Sequence, residues 1–204
     1  MKYVGYMYGS SISDTSNTAN STIKGVIDTW YKNNMTSYTS KLEDIVFCND
    51  RSYTITSTDS DGNSTYYFGA YTRLNENTQP ILKCQNAKDK FTVNTSNGNG
   101  KLTYPVGLIT ADEMAYAGGR YAKWDSSGEN SSFYLYNGMN NWTLSPGWTS
   151  DNDIAPAHSF ITSAGEYGTF NVQNSAGVRP VISLKSGTIL SSGSGTVSSP
   201  FVVE

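Results

Sequence analysis

Two helix signals set among many short β-rich runs predict an α+β fold with two short helices and several short antiparallel strands. No linker rich in Pro, Gly and Ser divides the 204 residues into two apolar halves, so one domain over residues 1–204 is expected. Hydrophobic residues make up only 37%, but aromatics reach 13%, with 15 tyrosines and four tryptophans. Large rings bury much apolar area each, so a core can form from few aliphatics, and a disordered chain is not expected.

Lys2–Tyr8 weakly alternates apolar and polar residues and reads as a first strand, followed by a small, polar loop over 9–22. Ile23, Val26, Ile27, Trp30 and Tyr31 follow the helical period, with Ser21 or Thr22 as N-cap and the Asn33-Asn34 pair as stop. This helix is expected to bury Ile23, Val26, Ile27 and Trp30, and Lys41–Asp44 could add one turn. Ile45–Cys48 reads as a short buried strand. Tyr53–Ser57 and Tyr66–Leu74 read as two strands joined by a hairpin, because Asp61-Gly62 supplies the positive φ a tight turn requires. Leu102–Ile109 reads as another strand, at an edge because of Pro105.

Thr110 to Ala117 carries the best-marked helix boundary: Thr110 and Glu113 make a capping box, and Gly118-Gly119 ends the helix. Residues 133–136, 141–145, 178–184 and 200–203 then read as short strands. Between them, residues 137–174 read as a long C-terminal loop carrying Trp148, Asp151, Asn152, Asp153, His158 and Tyr167. A loop this long in a compact domain is usually functional. Trp148, Asp151, Asn152, Asp153 and Tyr167 are therefore the candidate ligand-binding residues, with Trp148 as an exposed aromatic and Trp142 as core.

Charged residues are only 15%, against about 25% in typical domains. The surface is therefore Asn, Ser, Thr, Gly and Tyr, a palette suited to adaptable contacts. A net charge of −3 without a basic stripe argues against a nucleic-acid partner. No apolar run approaches the roughly 18 residues of a membrane span. Cys48 and Cys84 lack the spacing of a zinc or CxxC site. They read either as one structural disulfide, which an exported setting favours, or as two unpaired buried thiols.

Asp59, Asp61 and Asn63 look like the start of a calcium loop but lack its closing glutamate, so a hairpin turn is the simpler reading. Asp112 and Glu113 suit a helix N-terminus. His158 is the single histidine, and no GxSxG elbow accompanies it. Arg179, before Pro180, is expected to brace a loop through a carboxylate or backbone carbonyls. No catalytic residue, metal or cofactor is assigned.

Several segments carry a resemblance: Ile27 to Tyr31, Phe47 to Ser52, Tyr104 to Gly119, Trp142-Thr-Leu-Ser-Pro146 and Gly177-Val-Arg-Pro-Val181. They resemble an exported domain of gut Firmicutes-type bacteria, similar in turn to the C-type-lectin-like fold shared with formylglycine-generating enzymes. The resemblance implies a C-type-lectin-like α+β domain in an extracellular or cell-surface setting, with a leader or anchor upstream of Met1. It carries no established activity; joined with the long loop over 137–174, the expectation is a non-catalytic, adhesin-like module that binds a carbohydrate or protein ligand through that loop. The alternative is the structural head of a pilin-like or wall-anchored assembly, and an enzyme comes third. Formylglycine-type oxidation needs two cysteines in the C-terminal part, whereas Cys48 and Cys84 lie in the N-terminal half. The lectin triplets Glu-Pro-Asn and Trp-Asn-Asp are also missing.

Overall fold

The computed structural model describes residues 17–18, 20–77, 79–121, 130–151, 157–196 and 198–204. It has mixed α+β architecture, with few short helices and several short antiparallel strands. The strand expected over Lys2–Tyr8 lies outside the described residues.

The first helix, α1 (Thr22–Asn34), starts where expected, with the Ser21 hydroxyl accepting from the Lys24 N–H at 3.1 Å. Ile23, Ile27 and Tyr31 repeat every four residues and sink into a core with Leu42, Val106, Leu108 and Trp142. Val26 is 46% exposed, and Trp30 only flanks this core, so the expected inward stripe is corrected. The opposite flank faces the protein: Lys24 is buried, pairing with Asp28 and reaching Thr103. The chain near Thr103 covers that flank and turns Val26 out.

After α1 a 3₁₀ turn covers Thr36–Lys41, and Leu42–Glu43 is a short strand (β1), so the expected turn at 41–44 sits earlier. Phe47–Cys48 (β2) pairs with Lys90–Phe91 (β5). Tyr53–Thr58 (β3) and Ser64–Phe68 (β4) form the expected hairpin, where Asp59 accepts from the Asp61 and Asn63 N–H groups and Gly62 takes φ 87°. The second strand stops at Phe68 instead of Leu74. Gly69–Thr72 is helical (α2), and Arg73–Asn77 continues as a wide π turn. Gly69 sets this bend: a Cβ there would lie 2.4 Å from Asp50 Oδ2 and 2.8 Å from Arg73 Nη1. Tertiary packing overrides the β propensity of Tyr71 and Thr72.

Segment 102–109, expected as an edge strand, buries Val106 and Leu108 but forms no ladder beyond the Gly107–Val181 bridge. Pro105 lacks a donor, and Gly107 packs so tightly on Phe47 that a Cβ would sit 2.3 Å from its ring. Ala111–Tyr116 (α3) has the full Thr110–Glu113 capping box. Residues 133–136 are turns, not a strand, although Phe133 is buried.

The largest correction concerns residues 137–174. Asn141–Ser150 (β6), which contains and extends the expected 141–145 strand, Ala157–Ile161 (β7) and Tyr167–Asn171 (β8) form an antiparallel meander in place of the expected long loop. With the earlier hairpin they build a five-stranded sheet ordered β3-β4-β6-β7-β8. Pro146 sits within β6 because the register shifts on both sides of it, and a bulge is where a strand tolerates a residue without an N–H. Trp142 is 1% exposed, as expected for a core residue. The expected 178–184 and 200–203 strands shrink to Ser183–Leu184 (β9), which pairs with β1, and Val202–Val203 (β11), which pairs with Leu190–Ser192 (β10). Arg179 braces a loop as expected, donating to the Leu135 carbonyl at 2.6 Å.

Candidate functional site

Chemistry concentrates where three connections meet beside the sheet. Just after β2, Asp50 Oδ1 accepts from the Ser52 N–H (3.1 Å) and hydroxyl (2.6 Å), which fixes the carboxylate. Its other oxygen accepts from Arg73 Nη1 at 2.7 Å. Arg73 also makes a two-pronged contact with Asp112, at 2.9 Å from Nε and 2.7 Å from Nη2. The rigid guanidinium fork matches a carboxylate in this geometry. Asp112 Oδ1 further accepts from the Ile81 N–H at 2.9 Å. Side-chain exposures of 16% for Arg73, 10% for Asp50 and 6% for Asp112 make this a nearly dry triad. Burial alone would lower the proton affinity of Arg73, but the hydrogen bonds and charge of Asp112 and Asp50 outweigh it and hold the guanidinium above its ordinary value.

Cys48 and Cys84 form a disulfide, with Cα atoms 5.5 Å apart, that fastens the irregular 79–86 segment to β2. By loop-closure entropy such a bridge contributes about 3–4 kcal/mol. Pro80 accepts from the Tyr116 hydroxyl at 2.9 Å, so the strap is held at α3 as well. Arg51 and Asp89 form a second pair, each side chain 1% exposed, with Nε 2.6 Å from Oδ1. Burial pushes the Asp89 carboxyl up, and Arg51 offsets this only in part.

Between strap and α3 lies a cleft of about 280 Å³. Its floor is the triad, one wall is the disulfide, and Leu82, Lys83, Lys90, Glu113 and Ser145 also line it. The Lys83 and Lys90 ammonium groups make no hydrogen bond or ion pair with any described residue. The hydroxyls of Ser52 and Thr110 donate to carboxylates, but those carboxylates also accept from backbone N–H groups at a turn and a helix cap. The arrangement suits holding a small polar ligand against a pre-organised wall. Among the described residues, no group of three or more His, Cys, Asp or Glu side chains could hold a metal ion.

Of the described residues singled out from sequence, Trp148 and Asp151 lie together at one end of the sheet and Tyr167 lies apart from them. Trp148 is half-buried in β6, opposite Tyr67 on one side and Ala157 on the other. Asp151 clips the hairpin to β6: its carboxylate accepts from the Ser64 N–H (2.7 Å) and the Tyr66 hydroxyl (2.9 Å). That bond is the main cause holding the Tyr66 phenol above its usual range. Tyr167 lies across from Ile161, four residues along β7 from the Ala157 that faces Trp148, or about 13 Å along the strands. Its hydroxyl turns inward to Ser159 Oγ at 3.0 Å, and burial pushes its pKa up. Asn152 and Asp153 lie outside the described residues. His158 belongs to β7, paired with Phe170. Sequence reasoning passed over Asp50, Arg73, Lys83 and Lys90. The one usable signal was Arg73 itself, a lone charge at the end of a β-rich run, where a charge is buried only with a partner. No helix among the described residues is long and apolar enough to cross a membrane. Compared with protein families, with curated proteins and with solved structures, the chain matches none.

Proposed function

We propose that this chain is an exported, surface-displayed bacterial module of C-type-lectin-like kind that binds a carbohydrate or protein ligand without transforming it. The observation that carries the reading is the cleft above the Asp50–Arg73–Asp112 triad, whose net charge of −1 (two carboxylates, one guanidinium) lies beside the ammonium groups of Lys83 and Lys90, neither of which pairs with a described residue. Pockets of roughly 300–1,000 Å³ with a few placed polar groups are the usual form of small-ligand sites. At about 280 Å³ this cleft suits the end of a glycan or peptide. Its lining balances Arg73, Lys83 and Lys90 against Asp50, Asp112 and Glu113, and since Arg73 and the three carboxylates are engaged within the protein, the two lysines are the groups left to meet a ligand carboxylate. The disulfide is compatible with an extracellular location. Trp148 and Asp151 remain as a second candidate surface on the sheet.

The test is display of the purified protein on glycan and peptide arrays that include carboxylate-bearing and neutral members. Selective retention of carboxylate-bearing members supports the reading. Uniform absence of binding would leave the alternative, the head of a pilin-like or wall-anchored assembly. One observation favours that alternative: the β10–β11 hairpin carries Ile189, Leu190, Phe201 and Val202 in the open. Exposed apolar side chains gathered on one hairpin suit a contact site, and concentration-dependent self-association in sedimentation would support it.

A further inference from the structure

The sequence contains three Asn-Gly steps, at 97–98, 99–100 and 137–138. Such steps are chemically labile because glycine offers no side chain to block attack by its backbone nitrogen on the preceding carboxamide. The structure treats the three very differently. Asn99 is tied at both ends: its Nδ2 donates to the Lys88 carbonyl at 2.9 Å, and its Oδ1 accepts from the Lys101 N–H at 3.0 Å. The attacking nitrogen of that step, on Gly100, is also engaged, with Thr92 Oγ1 at 3.2 Å. Asn137 is held through its oxygen, which accepts from the Met139 N–H at 3.1 Å and Asn141 Nδ2 at 3.0 Å. Asn97 is exposed, and neither its carboxamide nor the Gly98 N–H makes a hydrogen bond with any described residue.

Packing also keeps this step an Asn-Gly step. A Cβ on Gly98 would lie 2.4 Å from the Lys90 carbonyl oxygen and 2.6 Å from Thr92 Oγ1. The loop is anchored on both sides, by Asp44 accepting from the Val93 and Asn94 N–H groups and by the Asn99 N–H donating to Lys90. Asn97 and Gly98 therefore form an untethered tip on a fixed base.

We infer that Asn97 is a site of spontaneous modification in the native protein: deamidation through a succinimide, ahead of Asn137 and Asn99. The Gly98 nitrogen attacks Asn97 Cγ and gives up its proton, and the carboxamide nitrogen leaves as ammonia. One water then opens the ring at either carbonyl to give isoaspartate or aspartate. The net change consumes one water, releases one ammonia and takes the formal charge from −3 to −4. The isoaspartate product adds one methylene to the backbone beside the Gly98 contact with Lys90, whose side chain borders the cleft.

The experiment is incubation of the native, disulfide-intact protein in mildly alkaline buffer, followed by tryptic mapping with fragment-ion localisation. Fragmentation is needed because Asn97 and Asn99 share the peptide from Phe91 to Lys101. A parallel sample is held unfolded and reduced. At about 1 kcal/mol net for each hydrogen bond that must be released, Asn97 should react roughly tenfold or more faster than Asn99 in the native protein. In the unfolded sample the three rates should converge, and Asn97→Gln should remove the native signal. Native Asn97 staying intact, or reacting no faster than Asn99 or Asn137, would overturn the inference.

Discussion

Replacing Arg73 with Met keeps the side chain's bulk and removes its charge. Asp50 and Asp112 would then face each other as carboxylates 10% and 6% exposed, having lost the three guanidinium bonds of 2.7–2.9 Å that compensate their burial. Asp50 would keep its Ser52 contacts, and Asp112 its Ile81 N–H. Removing one partner of a buried ionic cluster costs about 3–5 kcal/mol, because the orphaned charge remains in a dry site. For a chain of this size each kcal/mol moves Tm by about 2–4 °C, so the expected loss is about 6–20 °C. Thermal unfolding by circular dichroism with the disulfide intact reads it directly. The triple variant Arg73→Met, Asp50→Asn, Asp112→Asn should recover much of the loss, since replacing a whole cluster by neutral groups is far milder than breaking it. A single variant melting within 2 °C of wild type would refute the reasoning. So would a triple variant no better than the single one.

Three other outcomes follow from the same structure. The double change Trp148→Ala, Asp151→Ala should cost about 3 kcal/mol or more in urea unfolding, since it truncates a half-buried ring and breaks the clip to Ser64 and Tyr66; an unchanged midpoint would return both residues to a purely surface role. Tyr31→Ala should cost about 3–5 kcal/mol while Val26→Ala changes stability by less than about 0.5, reversing the order expected if Val26 faced the core. The Asp59 carboxylate is held below the ordinary value of 3.8, first by its hydrogen bonds with Asn63. Its contribution is therefore complete above that ordinary value and is lost as pH falls through the lower, folded value. The Asp61 and Asn63 amide resonances should titrate with a midpoint below 3.8, and a midpoint at or above it would count against the turn geometry.

The elements legible in the sequence were those with local causes. Ser21 caps α1, Thr110 and Glu113 box α3, and Asp61-Gly62 turns the hairpin, each through contacts within four residues. The even cysteine count pointed to the disulfide. What escaped depends on distant partners. The first half of β6 was legible as the 141–145 strand, but the rest of β6 to β8 is rich in Ser, Thr, Gly and Asn, and Pro146-Gly147 reads locally as a turn, so only pairing with β4 and among these strands makes it a sheet. Likewise Tyr66 to Leu74 has strand composition, but the approach of Asp50 to Gly69 and Arg73 bends it into a helical turn. The cleft joins residues from Val46 to Ser145, a constellation that no spacing rule reports.

The central claim is that the cleft beside Lys83 and Lys90 is where this chain meets its ligand. The most direct measurement is array binding by wild type alongside two variants, Lys83→Glu with Lys90→Glu, and Tyr66→Phe on the sheet, each first checked for an unchanged melt. The account predicts that carboxylate-bearing array members retained by wild type are lost by the double glutamate variant and kept by Tyr66→Phe. Retention by the glutamate variant, or loss in Tyr66→Phe alone, would move the site away from the cleft and contradict it.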